Sequence, residues 1–148
     1  MVDSEEIADV IVINTCCFIH DAKEESIQTI LEMAEYKKAG SCKAMIVTGC
    51  LAQRYKQEII DEIEEVDAVL GTTSYDKIVE AIDEALAGYT SVEMTDIDAL
   101  PLVESKRLVT TGGHFAYLKI AEGCDKHCTY CIIPKSAETL EVFRSNGF

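Results

Sequence analysis

At 148 residues, with 48% hydrophobic and 27% charged residues and two prolines, the chain has the composition of an ordinary globular domain. No apolar run approaches the roughly 20 residues that span a bilayer, and the acidic start "MVDSEEIADV" lacks the basic segment of a secretory signal. The expectation is a cytoplasmic protein with no membrane contact. A formal charge of −14 and a pI near 4.5 repel phosphate backbones, which argues against direct nucleic-acid binding and suits a basic protein partner.

In chain order, "ADVIVIN" (8–14) is a short β-branched run with the look of a strand buried on both faces. Residues 20–40 read as a helix: Ile27, Ile30, Leu31 and Ala34 recur at helical spacing, Asp21 can cap the start and Gly40 can end it. "KAMIVTG" (43–49) is a second buried strand, followed by a helix over 52–63, and "VDAVLG" (66–71) is a third. The "TTS" after it supplies an N-cap for a helix over 75–87, closed by Gly88. Strands alternating with helices that are long enough to serve as crossovers predict a parallel, right-handed α/β sheet. From 89 to 113 the periodicity dissolves into an interdomain linker with room for one short strand. "HFAYLKIAEG" (114–123) then resumes as a strand that delivers a cysteine-rich loop.

Seven cysteines, an odd number, in a reducing compartment argue for thiols or metal ligands rather than a disulfide framework. Cys16 and Cys50 each lie just past the carboxyl end of a predicted parallel strand, where open α/β sheets bind ligands. Two thiolates alone hold a metal centre poorly. Cys17 is adjacent to Cys16 and Cys42 precedes its strand, so both read as small buried hydrophobes.

"EGCDKHCTYCIIPK" (122–135) is more specific, because it places Cys124, Cys128 and Cys131 at C-x3-C-x2-C. Three thiols in eight residues can close on one centre. Two metal readings compete: a Cys3His zinc knot with His127, which adjacency to Cys128 strains, and a four-iron cluster with one iron left open. His20 and His114 read as a helix-start and a loop histidine, and Asp61, Glu62, Glu64 and Glu65 as a solvated helix end.

C-x3-C-x2-C with Tyr130 before the last cysteine resembles the signature loop of radical S-adenosylmethionine enzymes. Together with "INTCCFIHDAKEES", "VTGCLAQRY" and "VDAVLGTTSYDKI", the stretch "AYLKIAEGCDKHCTYCIIPK" is similar to the methylthiotransferase family of that superfamily, over residues 6–135. "CFI" followed by "ES", and lysine after "CIIP", favour the branch that modifies an aspartate of small-subunit ribosomal protein S-twelve. A tRNA-modifying relative and a non-enzymatic metal-binding α/β module are the alternatives.

The resemblance implies two 4Fe-4S clusters and S-adenosyl-L-methionine as cofactors. Cys124, Cys128 and Cys131 would hold the radical cluster, and Tyr130 would pack near the adenine. Cys16 and Cys50 would be two of the three ligands of an auxiliary cluster. Partners would be ribosomal protein S-twelve, or the small ribosomal subunit, and an electron donor. The reaction would be radical hydrogen abstraction from an unactivated C–H, followed by insertion of a methylated sulfur.

In that pattern the third auxiliary cysteine lies on a strand upstream of Met1, and residues 136–148 follow nothing the family places there. The expected organisation is an α/β domain over 1–88 lacking its first strand and a linker over 89–113. The first strand and cluster loop of a partial (β/α) barrel follow over 114–135, then an atypical tail over 136–148. A piece of a methylthiotransferase, inactive in isolation and prone to aggregate at its open sheet edge, is the expectation.

Overall fold

The computed structural model describes residues 2–97, 111–118, 120–133 and 141–142. Four parallel strands make the main sheet in chain order: β1 (Val10–Thr15), β2 (Ala44–Gly49), β3 (Ala68–Leu70) and β4 (Ser91–Glu93). The β1–β2 register runs from Val10↔Ala44 to Thr15↔Gly49, and β2–β3 pairs Ile46 with Ala68 and Thr48 with Leu70. Ala68↔Ser91 through Leu70↔Glu93 join β3 to β4.

Helices cover both faces. Helix α1 (His20–Lys38) packs on β1 and β2, and the short helices α2 (Cys50–Tyr55) and α3 (Gln57–Glu62) lie on the same side. There Ile11, Ile13, Met45, Val47 and Val69 meet Ile30, Ala34, Leu51 and Ile59. On the other face α4 (Ile78–Leu86) sets Ile78, Ala81 and Ile82 against Ile46, Ala68 and Leu70. Each fully buried aliphatic side chain contributes roughly 1.5–3 kcal/mol. The result is the expected three-layer α/β architecture around a parallel sheet.

Strand β2 is buried at all six positions, as its continuous apolar run predicts. Strand β1 is not. Ile11, Ile13 and Thr15 are buried, while Val12 stays 41% exposed and Asn14 is open to solvent. The reason is coverage: α4 has only nine residues and packs on β2, β3 and β4, so on the far face of edge strand β1 only Val10 reaches that cluster while Val12 and Asn14 stay open.

Several boundaries move. The helix expected over 52–63 begins at Cys50 and breaks at Lys56, whose φ of 44° no helix accepts. Asp21 does not cap α1: the N-cap position is Ile19, and Asp21 lies in the first turn, where its charge favours the helix dipole. Gly40 follows the helix at φ +82°, as expected.

Ser74 does not cap α4 either. A 3-10 turn (Tyr75–Lys77) intervenes, and the fully buried Ser74 hydroxyl instead accepts the Thr95 N–H at 2.9 Å and donates to Thr95 Oγ1 at 3.0 Å. That bond ties the segment after β4 back to the α4 entry. Residues 91–93, expected in the linker, therefore belong to the sheet.

Beyond it, among the described residues of the strand expected over 114–123, only β5 (Ala121–Glu122) is strand, paired antiparallel with β6 (Glu141–Val142). Residues 115–118 have no regular structure and expose Tyr117 and Leu118, so nothing rewards an extended ladder there. Residues 98–110 of the expected linker, and most of the expected tail, lie outside the described residues. Among the described residues no helix is long and apolar enough to cross a membrane.

Candidate metal centre

Two groups of cysteines were singled out, and the structure treats them differently. The first group stands at the carboxyl ends of β1 and β2. Thr15 and Gly49 are register partners, so Cys16 and Cys50 leave adjacent strand ends on one rim. Gly49 makes this close approach possible. It sits at φ +97°, and a Cβ there would collide with the carbonyl oxygen of Thr15 and the side-chain oxygen of Asn14. The Thr15 hydroxyl crosses the same gap, donating to the Thr48 carbonyl at 2.6 Å.

Cys16 is exposed and Cys50 half-buried. Cys50 is also the first residue of α2, because Gly49 turns the chain from strand to helix with no intervening loop. Cys17 is only 4% exposed, and its thiol donates to the Cys50 carbonyl at 3.3 Å. The Cys16 N–H is bound by the Ser26 hydroxyl at 3.0 Å, and the same hydroxyl donates to the Cys16 carbonyl at 3.0 Å. Ser26 is the residue that sequence reading missed. The spacing of Ile27, Ile30, Leu31 and Ala34 does not mark it, and the buried face of the helix is Ser26, Ile30 and Ala34, with Ile27 and Leu31 exposed.

Cys42 is buried beside β2 and donates to the Ala44 carbonyl at 3.1 Å; burial pushes its thiol above the ordinary range. Cys17 and Cys42 are thus both buried, as expected of them, and each thiol also finds a carbonyl partner. None of the seven cysteines is in a disulfide.

The second group is the loop after β5. Gly123, at φ +77°, turns the chain out of the strand, and the Cys131 N–H closes a turn on the Cys128 carbonyl at 3.0 Å. Cys124 and Cys131 are half-buried, Cys128 is exposed, His127 is exposed, and Tyr130 is 89% exposed.

Among the described residues, no three His, Cys, Asp or Glu side chains converge on a metal geometry. The donor chemistry still fits a thiolate-held centre: three thiols in one short loop, none sequestered in a core. The loop in this conformation does not gather them, and a centre bound there would have to draw the loop around itself, as metal ligation commonly does.

The sequence can be set beside known proteins. Residues 1–71 match a family described as "Uncharacterized protein family UPF0004". Over 135 residues, 91% of this chain, it is 67% identical to a protein named ribosomal protein uS12 methylthiotransferase RimO from Lachnoclostridium phytofermentans. Proteins of the same name from Clostridium kluyveri and Clostridioides difficile are 49% and 51% identical over 91% and 90% of the chain. The chain spans 31%, 30% and 30% of the length of these three relatives. The resemblance carried by the cysteine motifs is thereby borne out: the chain carries the UPF0004 domain and is similar over nine-tenths of its length to proteins named as methylthiotransferases.

Proposed function

We propose that this chain takes part in adding a methylthio group to an aspartate of the small-subunit ribosomal protein named in its relatives. The observation that carries the reading is the 67% identity to a uS12 methylthiotransferase across 91% of the chain. The whole catalyst in this reading is a cytoplasmic radical S-adenosylmethionine enzyme that draws on an electron donor and binds ribosomal protein S-twelve or the small subunit. The acidic balance of −14 suits a basic protein substrate and disfavours direct contact with nucleic acid.

In this reading Cys124, Cys128 and Cys131 hold a 4Fe-4S cluster, and Cys16 and Cys50 supply two ligands of a second. The clusters supply an open iron for S-adenosyl-L-methionine, the electron that cleaves it, and a sulfur-handling centre.

The chain's own residues do the rest. Three exposed or half-exposed thiols in one loop are within reach of an incoming metal centre. Tyr130 projects from the loop with its ring face free for an adenine, for which stacking on an aromatic is a suitable contact. Cys16 and Cys50 follow the register partners Thr15 and Gly49, so their spacing is set by the β1–β2 register. We extend the reading to organisation: 1–97 acts as one α/β unit and 114–135 as the start of the cluster-bearing unit.

Iron and acid-labile sulfide per chain after anaerobic reconstitution test this reading, with a Cys124→Ala/Cys128→Ala/Cys131→Ala variant for comparison. The variant is expected to hold about four fewer irons, one cubane's worth. Equal iron in both would remove the loop from the reading.

A further inference from the structure

Helix α1 contains one serine and one threonine, about a turn apart, and they behave differently. Thr29 makes the ordinary mid-helix bond, donating to the carbonyl of Glu25 four residues back at 2.9 Å. Ser26, on the buried face, makes no such bond; its hydroxyl is spent on Cys16, accepting that residue's N–H and donating to its carbonyl, both at 3.0 Å. One side chain thereby fixes both polar groups of the Cys16 backbone, so the peptide planes on either side of it cannot turn without losing a bond. Cys16 itself is exposed.

The opposite side of the rim is fastened in the same manner. Cys17 is buried with its thiol on the Cys50 carbonyl, so the residue after the first rim cysteine holds the main chain of the second. Neither contact extends a helix or a strand. Both end on the backbone of a rim cysteine.

We propose that Ser26 and Cys17 are positioning residues that hold Cys16 and Cys50 as one preorganised thiolate pair at the β1–β2 rim. The proposal rests on the reading that Cys16 and Cys50 are ligands. Partners that act directly on a ligating group commonly matter ten- to a hundred-fold in metal affinity; Ser26 and Cys17 act one step back, on the main chain that carries each thiol. It also gives the Glu-Ser pair at 25–26 a physical role, with the serine as the working member.

The test uses cadmium(II), a thiophilic ion whose thiolate charge-transfer absorption reports ligation without any turnover. The full chain carries Cys124→Ser, Cys128→Ser and Cys131→Ser, which removes the loop thiols. Each variant is titrated at a temperature where far-ultraviolet circular dichroism shows it folded. Ser26→Ala and Cys17→Ala are each expected to weaken cadmium binding about tenfold or more, while Cys17→Ser, which keeps a donor for the Cys50 carbonyl, holds the parent affinity.

Unchanged affinity in both alanine variants overturns the proposal. Loss in Cys17→Ser equal to that in Cys17→Ala would make Cys17 a ligand instead, and overturns its positioning role. Cys16→Ala and Cys50→Ala separate the two levels. If neither changes the absorption, the ligand reading falls and the proposal with it; if both abolish it while Ser26→Ala and Cys17→Ala do nothing, the proposal alone falls. Should Ser26→Ala fail to fold, the Cys17 variants decide.

Discussion

Lys37, near the end of α1, forms an ion pair with Asp67 at the entrance to β3, and the same Asp67 carboxylate accepts the N–H of Met45 at 2.8 Å. One partly buried side chain thus joins a helix and two strands. Asp67→Ala removes both partners and leaves the Met45 N–H without an acceptor, so a loss of about 1–3 kcal/mol is expected. Lys37→Met keeps the backbone bond and should cost less than half as much. Urea unfolding of both variants checks the ranking, and equal losses would show the ion pair to matter more than the backbone bond.

Gly49→Ala tests the junction that brings the two rim cysteines together. The substitution demands a Cβ at φ +97°, against the Thr15 carbonyl and the Asn14 side chain. A loss of about 1–3 kcal/mol is expected for holding a non-glycine residue there, more if the neighbours cannot shift. The parallel change Gly88→Ala, also at positive φ but with open space around it, isolates the backbone cost from the collision. Denaturation midpoints for the pair should differ, with Gly49→Ala the worse.

Thiol chemistry separates the cysteines by burial. At pH 8 iodoacetamide should label Cys16 and Cys128 rapidly and leave Cys42 and Cys17 unmodified until the chain unfolds, as read by peptide mass mapping. Burial raises the Cys42 thiol above its ordinary range. Below that range both folded and unfolded chains keep the proton and nothing changes. As pH rises through the ordinary thiol range the unfolded chain releases it first, and stability falls. Cys42→Ala should flatten that alkaline decline; an unchanged slope would assign it to another group.

The bare face of β1 has its own consequence. "VIVINT" carries no charge, sits at a sheet edge and exposes Val12, a combination that invites pairing with another chain. Val12→Lys should slow aggregation in light-scattering assays at an unchanged unfolding midpoint, because the side chain already faces solvent. Equal aggregation would place the sticky surface elsewhere, for example at Phe18 and Ile19.

The sequence carried the layers well and the ends of elements poorly. Strand β2 announced itself because burial on both faces leaves no polar position in "AMIV", whereas β1 has nearly the same composition and only half the burial. Composition reports what a strand tolerates. How far a nine-residue α4 reaches is a tertiary fact. Ser74 was read as a cap because serine before a helix usually is one, yet Thr95, distant in sequence, offered two bonds instead of one. At the rim, Cys16 and Cys50 were legible from position after a strand. Ser26 was not, since its partner lies across a turn and no periodic pattern encodes that.

The order of the sheet also bears on how the chain reaches this state. Its three ladders join Val10 to Ala44, Ile46 to Ala68 and Ala68 to Ser91, so every one must close a loop holding a helix. Closure entropy grows with the logarithm of loop length, and across these three it differs by only about a few tenths of a kcal/mol. Topology therefore sets no order of events, and the choice passes to side chains. Strands β2 and β3 each share two of the ladders and bury every residue, and β2, at six residues against three, offers the longer apolar run, which makes it the natural nucleus: until it has found β1, the ends that carry Cys16 and Cys50 have no common address.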